Sequence, residues 1–140
     1  MAHYALINKD NTVVNVITGV DEDIIQTDID GTQVGGSGEA WESYYANLPW
    51  NTGLICKRTS YNTVHNQHIE GGTPLRGNFA SVGGKYDPTF DLFIPIQPFP
   101  SWKFNYTKAA WEAPVIKPED TEEYVWKWSE INKEWIKVTI

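Results

Sequence analysis

The hydrophobic and polar positions of this 140-residue chain repeat one arrangement three times in its second half. Each copy has a lysine, an aromatic residue, a short polar residue, and a second aromatic residue seven positions after the first. The copies are Lys85-Tyr86-Asp87 with Phe93, Lys103-Phe104-Asn105 with Trp111, and Lys127-Trp128-Ser129 with Trp135. Aromatics that face each other at that spacing leave one flanking pair and a four-residue turn built around a type I geometry. Asp87, Asn105 and Ser129 then stand where a short side chain bonds the turning backbone, and Pro88 presets φ in the first copy. Each facing pair is worth about 0.5–1.5 kcal/mol beyond its burial.

The same reading places an aliphatic hairpin at the start, over Tyr4–Ile17, with a polar turn at Asn8–Thr12 and Ile7 facing Val14. Residues Asp21–Gly38 mix acidic residues with the run Gly35-Gly36-Ser37-Gly38 and read as a mobile connection. Glu39–Leu48 is the one segment with a helical stripe, formed by Trp41, Tyr44, Tyr45 and Leu48. Ser37 is its N-cap and Pro49 its stop. Thr52–Gly84 is polar and glycine-rich, an irregular region with short strands. The proline-rich stretches Ile94–Ser101 and Ala113–Asp120 run extended between the hairpins. The fold expected is mainly β: antiparallel hairpins, one short helix and an irregular centre. It divides into residues 1–84 and a hairpin region 85–140, or forms one continuous domain.

Composition narrows the function. Seven Trp and seven Tyr are well above the usual share, so aromatic faces dominate the informative side chains. A net charge of −7 argues against nucleic-acid binding, which needs a basic face to displace counterions. No apolar run approaches the length of a membrane span and no charged-then-apolar leader opens the sequence, so neither a membrane nor an export route is expected. The single cysteine, Cys56, excludes an internal disulfide and fits folding in a reducing cytoplasm.

Candidate chemistry is sparse. His65 and His68, with Cys56 upstream and Glu70 beyond, have the residue types of a metal site but not the paired spacing of a zinc motif. Their expected role is hydrogen bonding within the loop, with no cofactor. Cys56 as a nucleophile needs a base within reach and a lowered pKa, neither of which a sequence displays. No G-x-S-x-G, phosphate-loop or H-E-x-x-H motif occurs. An enzyme is not expected. The aromatics are core where they face each other in hairpins. Trp50, Trp102, Trp126 and Tyr61, together with Arg76, are the candidate contacts for a protein partner or a glycan.

Several runs carry a family resemblance. They are Cys56-Lys-Arg-Thr-Ser-Tyr-Asn-Thr63, Gly71-Gly-Thr-Pro-Leu-Arg-Gly-Asn-Phe-Ala80, Tyr86-Asp87, and Phe93-Ile-Pro followed by Pro98-Phe-Pro-Ser-Trp102. Trp111-Glu-Ala-Pro and the Trp128 to Trp135 ending belong with them. Over about residues 52–135 the chain resembles a family of small proteins from marine tailed phages, especially those of cyanobacteria and related marine bacteria. It departs from that pattern at Ile96 and Gln97, where proline is frequent in relatives, and in the long Asp21–Gly38 insert. The resemblance implies a virion-associated structural or accessory protein that folds in the host cytoplasm. Its partners would be other phage structural proteins of the capsid or tail, engaged multivalently. The alternative is a carbohydrate-binding module recognising host surface glycans through Trp and Tyr.

Overall fold

A computed structural model of the chain describes residues 2–140. Its strands are antiparallel throughout. Ala2–Ile7 (β1) pairs with Val13–Gly19 (β2) across a turn in which Asn8 Oδ1 accepts from the Asp10 and Thr12 amides, both at 3.0 Å. The pairing slips between Leu6 and Ile7, so Ile7 faces Val13 and not Val14. That bulge turns Val13 into the core, and Val13 exchanges main-chain bonds of 2.9 Å with Gly83 and Gly84 on its other side.

The Asp21–Gly38 segment, expected to be a mobile connection, is instead a second hairpin. Ile25–Thr27 (β3) pairs with Gln33–Gly35 (β4), and the Asp30 carboxylate accepts from the Thr32 amide in the turn. The reason lies in Gly35, whose φ of +93° and missing Cβ let the backbone lie against the Trp41 ring. Trp41 Nε1 donates to the Ile24 carbonyl at 3.0 Å and fixes the hairpin from below.

The helix Gly38–Ala46 (α1) starts as expected, with Ser37 Oγ accepting from the Ala40 amide. It ends two residues earlier than the stripe suggested, and Pro49 opens a short 3-10 turn. Ile55–Thr59 (β5) then returns to β1, giving a three-stranded sheet in the order β2-β1-β5. This long-range pairing was not legible in the glycine-rich surroundings. β1 is the middle strand, and a core cluster covers each of its faces. Ala5 and Ile7 pack with Val13, Tyr86 and Phe93. Tyr4 and Leu6 pack with Trp41 and Cys56 under the helix. Each large apolar side chain so buried contributes about 1.5–3 kcal/mol.

The centre is irregular in backbone but held by buried polar side chains. Thr63–Val64 (β6) and Gln67–His68 (β7) form a minimal hairpin, and His65 and Asn66 occupy its turn with φ of 48° and 57°. Thr59 Oγ1 accepts from the Ala80 amide at 2.9 Å and Thr63 Oγ1 from the Leu75 amide at 3.0 Å. Asn78 accepts from the His65 amide and donates to the Phe93 and Ala109 carbonyls. Buried side chains thus take over the bonding that a sheet would otherwise supply.

The three aromatic hairpins form at the expected register. Lys85–Asp87 (β8) and Leu92–Ile94 (β9) set Tyr86 opposite Phe93. Lys103–Asn105 (β10) and Ala110–Glu112 (β11) set Phe104 opposite Trp111. Tyr124–Ser129 (β12) and Glu134–Thr139 (β13) set Trp128 opposite Trp135. The facing rings lie 5.2, 5.3 and 5.2 Å apart. Every turn closes on a left-handed residue in the same place: Asp91, Ala109 and Lys133, with φ of 50–54°.

The chain forms two compact units. One runs up to Ile96 and includes Thr107–Ala109; the other comprises Gln97–Tyr106 and Ala110–Ile140. The boundary falls after Ile96 and not after Gly84, because Tyr86 and Phe93 belong to the core beneath β1. In the C-terminal unit Trp102 packs against Phe99, Trp128 and Trp135.

Candidate functional site

The strongest concentration of buried charge lies at the outer edge of β5, beside α1. Glu42, next to Trp41 on α1, is also turned inward, and only 8% of it is exposed. Its Oε2 accepts from the Arg58 amide at 2.6 Å and from Arg76 Nη1 at 3.0 Å. Arg76 Nη1 also donates to the Arg58 carbonyl at 2.9 Å. A carboxylate and a guanidinium therefore supply the acceptor and donor that a neighbouring strand would offer Arg58. Arg76 Nε donates to Asp91 Oδ1 at 2.8 Å, and the same oxygen accepts from the Tyr86 hydroxyl.

The electrostatics follow from this wiring. Burial works against the Arg76 charge, but the Asp91 hydrogen bond and the Glu42 and Asp91 charges outweigh it and hold the pKa above the ordinary value. Burial likewise works against the Asp91 charge, and the bonds from Tyr86 and Arg76 bring its pKa below the usual carboxylate value. Burial, reinforced by the Glu42 charge, pushes the Cys56 thiol up to about 12. A thiol of that kind is a core side chain and not a nucleophile at neutral pH.

Beside this cluster runs a groove of about 450 Å³. Glu39, Ser43 and Ala46 of α1 form one wall, and Ile55 and Lys57 of β5 the other. Arg76 and Glu42 close one part of it.

The structure disperses the other candidates. Arg76 is an internal brace, its side chain 15% exposed, and contributes to the groove without offering a free guanidinium. Trp50 is 76% exposed on the 3-10 turn. Tyr61 is exposed and meets His3 edge-on at 5.3 Å. Trp102 is half-buried in its aromatic cluster, and Trp126 is half-buried with its indole N–H on the Glu119 carbonyl at 3.2 Å. His68 Nδ1 accepts from the Glu70 amide, and His65 is held through its main chain to Asn78. Among the described residues no group of three or more His, Cys, Asp and Glu side chains gathers to hold a metal. No helix of the described residues is long and apolar enough to cross a membrane.

Glu42, Asp91 and Asn78 carry no distinguishing mark in the sequence. A glutamate next to Trp41 on a short helix reads as solvated until β5 is known to pass beneath it. The hint was Arg76 itself, a lone arginine in a glycine-rich loop with its counter-charges elsewhere. No family model matches the chain, and neither a curated protein nor a solved structure matches it.

Proposed function

We propose that this chain is a non-enzymatic structural accessory protein of a tailed-phage particle, docking on the capsid or tail surface. The observation that carries this reading is the prevalence of two-stranded hairpins. Five of the six sheets among the described residues are two-stranded hairpins, and of these β8 and β9 also bond the main chain of Asn11 and Arg76. Open strand edges are ready sites for pairing with another chain. Each aromatic hairpin also carries an exposed apolar side chain at its turn: Phe90, Tyr106 and Ile131. Repeated small contacts of this kind suit multivalent attachment to a regular surface. The phage setting comes from the sequence resemblance over about residues 52–135, and with it folding in the host cytoplasm followed by residence in the virion.

The test is a mass-spectrometric inventory of purified particles, paired with co-sedimentation of the isolated protein. Recovery of the protein with the particle supports the reading; its absence from particles prepared in mild salt overturns it. Carbohydrate binding is the second reading, favoured by the exposed Trp50 ring and the exposed Tyr61 ring. Binding on a glycan array that disappears in Trp50→Ala supports it, and a blank array sets it aside.

A further inference from the structure

We propose that the outer edge of β13 is a strand-addition site that takes an extended segment of the partner protein, aliphatic on one face and acidic at its middle. In an antiparallel pair, successive residues turn their N–H and C=O alternately toward and away from the neighbouring strand. The Ile140 amide bonds the Glu123 carbonyl at 2.9 Å, so the backbone of Ile136 and Val138 also turns toward β12, and that of Trp135, Lys137 and Thr139 turns outward. On β12 the outward positions are taken. The Tyr124 amide and carbonyl go to Thr121, and the Trp126 amide goes to Asp120 Oδ1. On β13 no donor or acceptor of the described residues meets the outward main chain of Trp135, Lys137 or Thr139. The Val115 carbonyl reaches Trp135 only through the indole N–H. Three successive outward residues thus leave a continuous row of free backbone, and Ile136, Lys137, Thr139 and Ile140 along it are all exposed.

The surroundings of this row describe the occupant. A lysine on an edge strand ordinarily guards it against pairing. Lys137 does not, because its ammonium lies 3.9 Å from the centroid of the Tyr124 ring on β12, across the hairpin and away from the outer edge. A second copy of the chain fits poorly. The antiparallel register that engages all three outward residues of both copies sets Lys137 directly against Lys137, and like charges so placed repel. The same position favours a carboxylate on a different chain. Ile136, Val138 and Ile140 share the other face of the strand, where aliphatic residues of an added strand extend the apolar surface. Backbone pairing supplies the attraction, and the two faces select the side chains.

The proposal rests on the docking reading for the nature of the partner, and its experiment separates the two. The isotope-labelled full chain is titrated with the end-blocked peptide Thr-Val-Glu-Val-Thr, and amide exchange is followed by NMR. The Trp135, Lys137 and Thr139 amides should exchange about tenfold or more slower with saturating peptide, while the Ile136 and Val138 amides, already bonded to β12, should change far less. The same peptide N-methylated at its glutamate should give no protection. Lys137→Pro removes one outward N–H and no bond of the hairpin, so it should abolish the protection at Trp135 and Thr139; Thr139→Pro serves if that variant misfolds. Lys137→Glu should weaken the peptide about threefold or more and favour its Thr-Val-Lys-Val-Thr analogue. Absent or uniform protection across residues 135–139, or equal binding by the N-methylated peptide, overturns the proposal. Alternating protection without particle co-sedimentation supports the edge site and overturns the docking reading. Particle binding with exchange at Trp135, Lys137 and Thr139 unchanged in the bound protein does the reverse.

Discussion

Replacing Glu42 by alanine tests the wiring of the β5 edge. The side chain is buried and accepts two charge-assisted or short hydrogen bonds, from the Arg58 amide and from Arg76. Leaving the Arg58 amide without an acceptor costs about 1–3 kcal/mol. Arg76 loses one carboxylate but keeps Asp91 and the Arg58 carbonyl, so it is not stranded. The cost of about 3–5 kcal/mol for breaking a fully buried pair is therefore an upper bound, and the expected loss is about 3 kcal/mol. With a urea m-value of about 1–3 kcal/mol/M, the unfolding midpoint should fall by about 1–3 M. Glu42→Gln keeps an acceptor oxygen and should lose about half as much. Asp91→Ala, at a side chain 57% exposed, should lose only about 1 kcal/mol. Urea unfolding followed by tryptophan fluorescence, which senses the buried Trp41, measures all three. A midpoint for Glu42→Ala within about 0.3 M of wild type, or equal losses for Glu42→Ala and Asp91→Ala, would refute the reasoning.

Three more outcomes follow from geometry described above. Cys56 in the native protein should react with a disulfide reagent at pH 8 at least about a hundredfold slower than in the unfolded chain, because its thiol is buried and its pKa is raised to about 12; equal rates contradict this. Glu130, whose bonds from Ser101, Trp128 and Lys133 lower its pKa from 4.5 to about 2, should stabilise the C-terminal hairpin fully above about pH 4.5 and lose that effect as pH falls toward 2. The stability gap between wild type and Glu130→Gln, measured from pH 6 to pH 2, should therefore close; a gap independent of pH counts against it. Gly35→Ala should cost about 2–4 kcal/mol, since its Cβ would sit 2.4 Å from the Trp41 ring and the Ile24 carbonyl at a φ of +93°. Gly53→Ala, also at positive φ but in open space, should cost only about 1 kcal/mol, and equal losses in the two thermal melts would show that the Trp41 contact is unimportant.

Local spacing made the hairpins legible. Tyr86 with Phe93, Phe104 with Trp111 and Trp128 with Trp135 are decided within eight residues, and the left-handed closing residue adds nothing that the spacing needs. The N-terminal turn was readable as a turn, but the bulge that exchanges Val14 for Val13 depends on Gly83 and Gly84, far along the chain. The Gly35–Gly38 run has the composition of a linker, and only the approach of Trp41 makes Gly35 a packing requirement. The β5 edge was least visible. Its chemistry joins a helix residue, a strand residue, a loop arginine and a hairpin aspartate, which no periodicity connects. Arg76 was named among the candidate contacts for a partner or glycan, but not as a brace.

The two kinds of strand pairing imply two rates of assembly. Each aromatic hairpin closes over four residues, a step that takes about 1–10 μs in isolated hairpins. The β1–β5 pairing must wait until Thr59 can find His3, with a helix and a hairpin between them, and such distant pairings slow folding. Asn78 adds a further dependence on chain order, because its buried side-chain amide donates to the carbonyl of Ala109. During synthesis the first unit therefore lacks one of its internal acceptors until the turn of the second aromatic hairpin has left the ribosome. A nascent chain from which only residues up to Ile96 have emerged lacks that acceptor, and should be cleaved by protease more readily than one in which Ala109 has emerged.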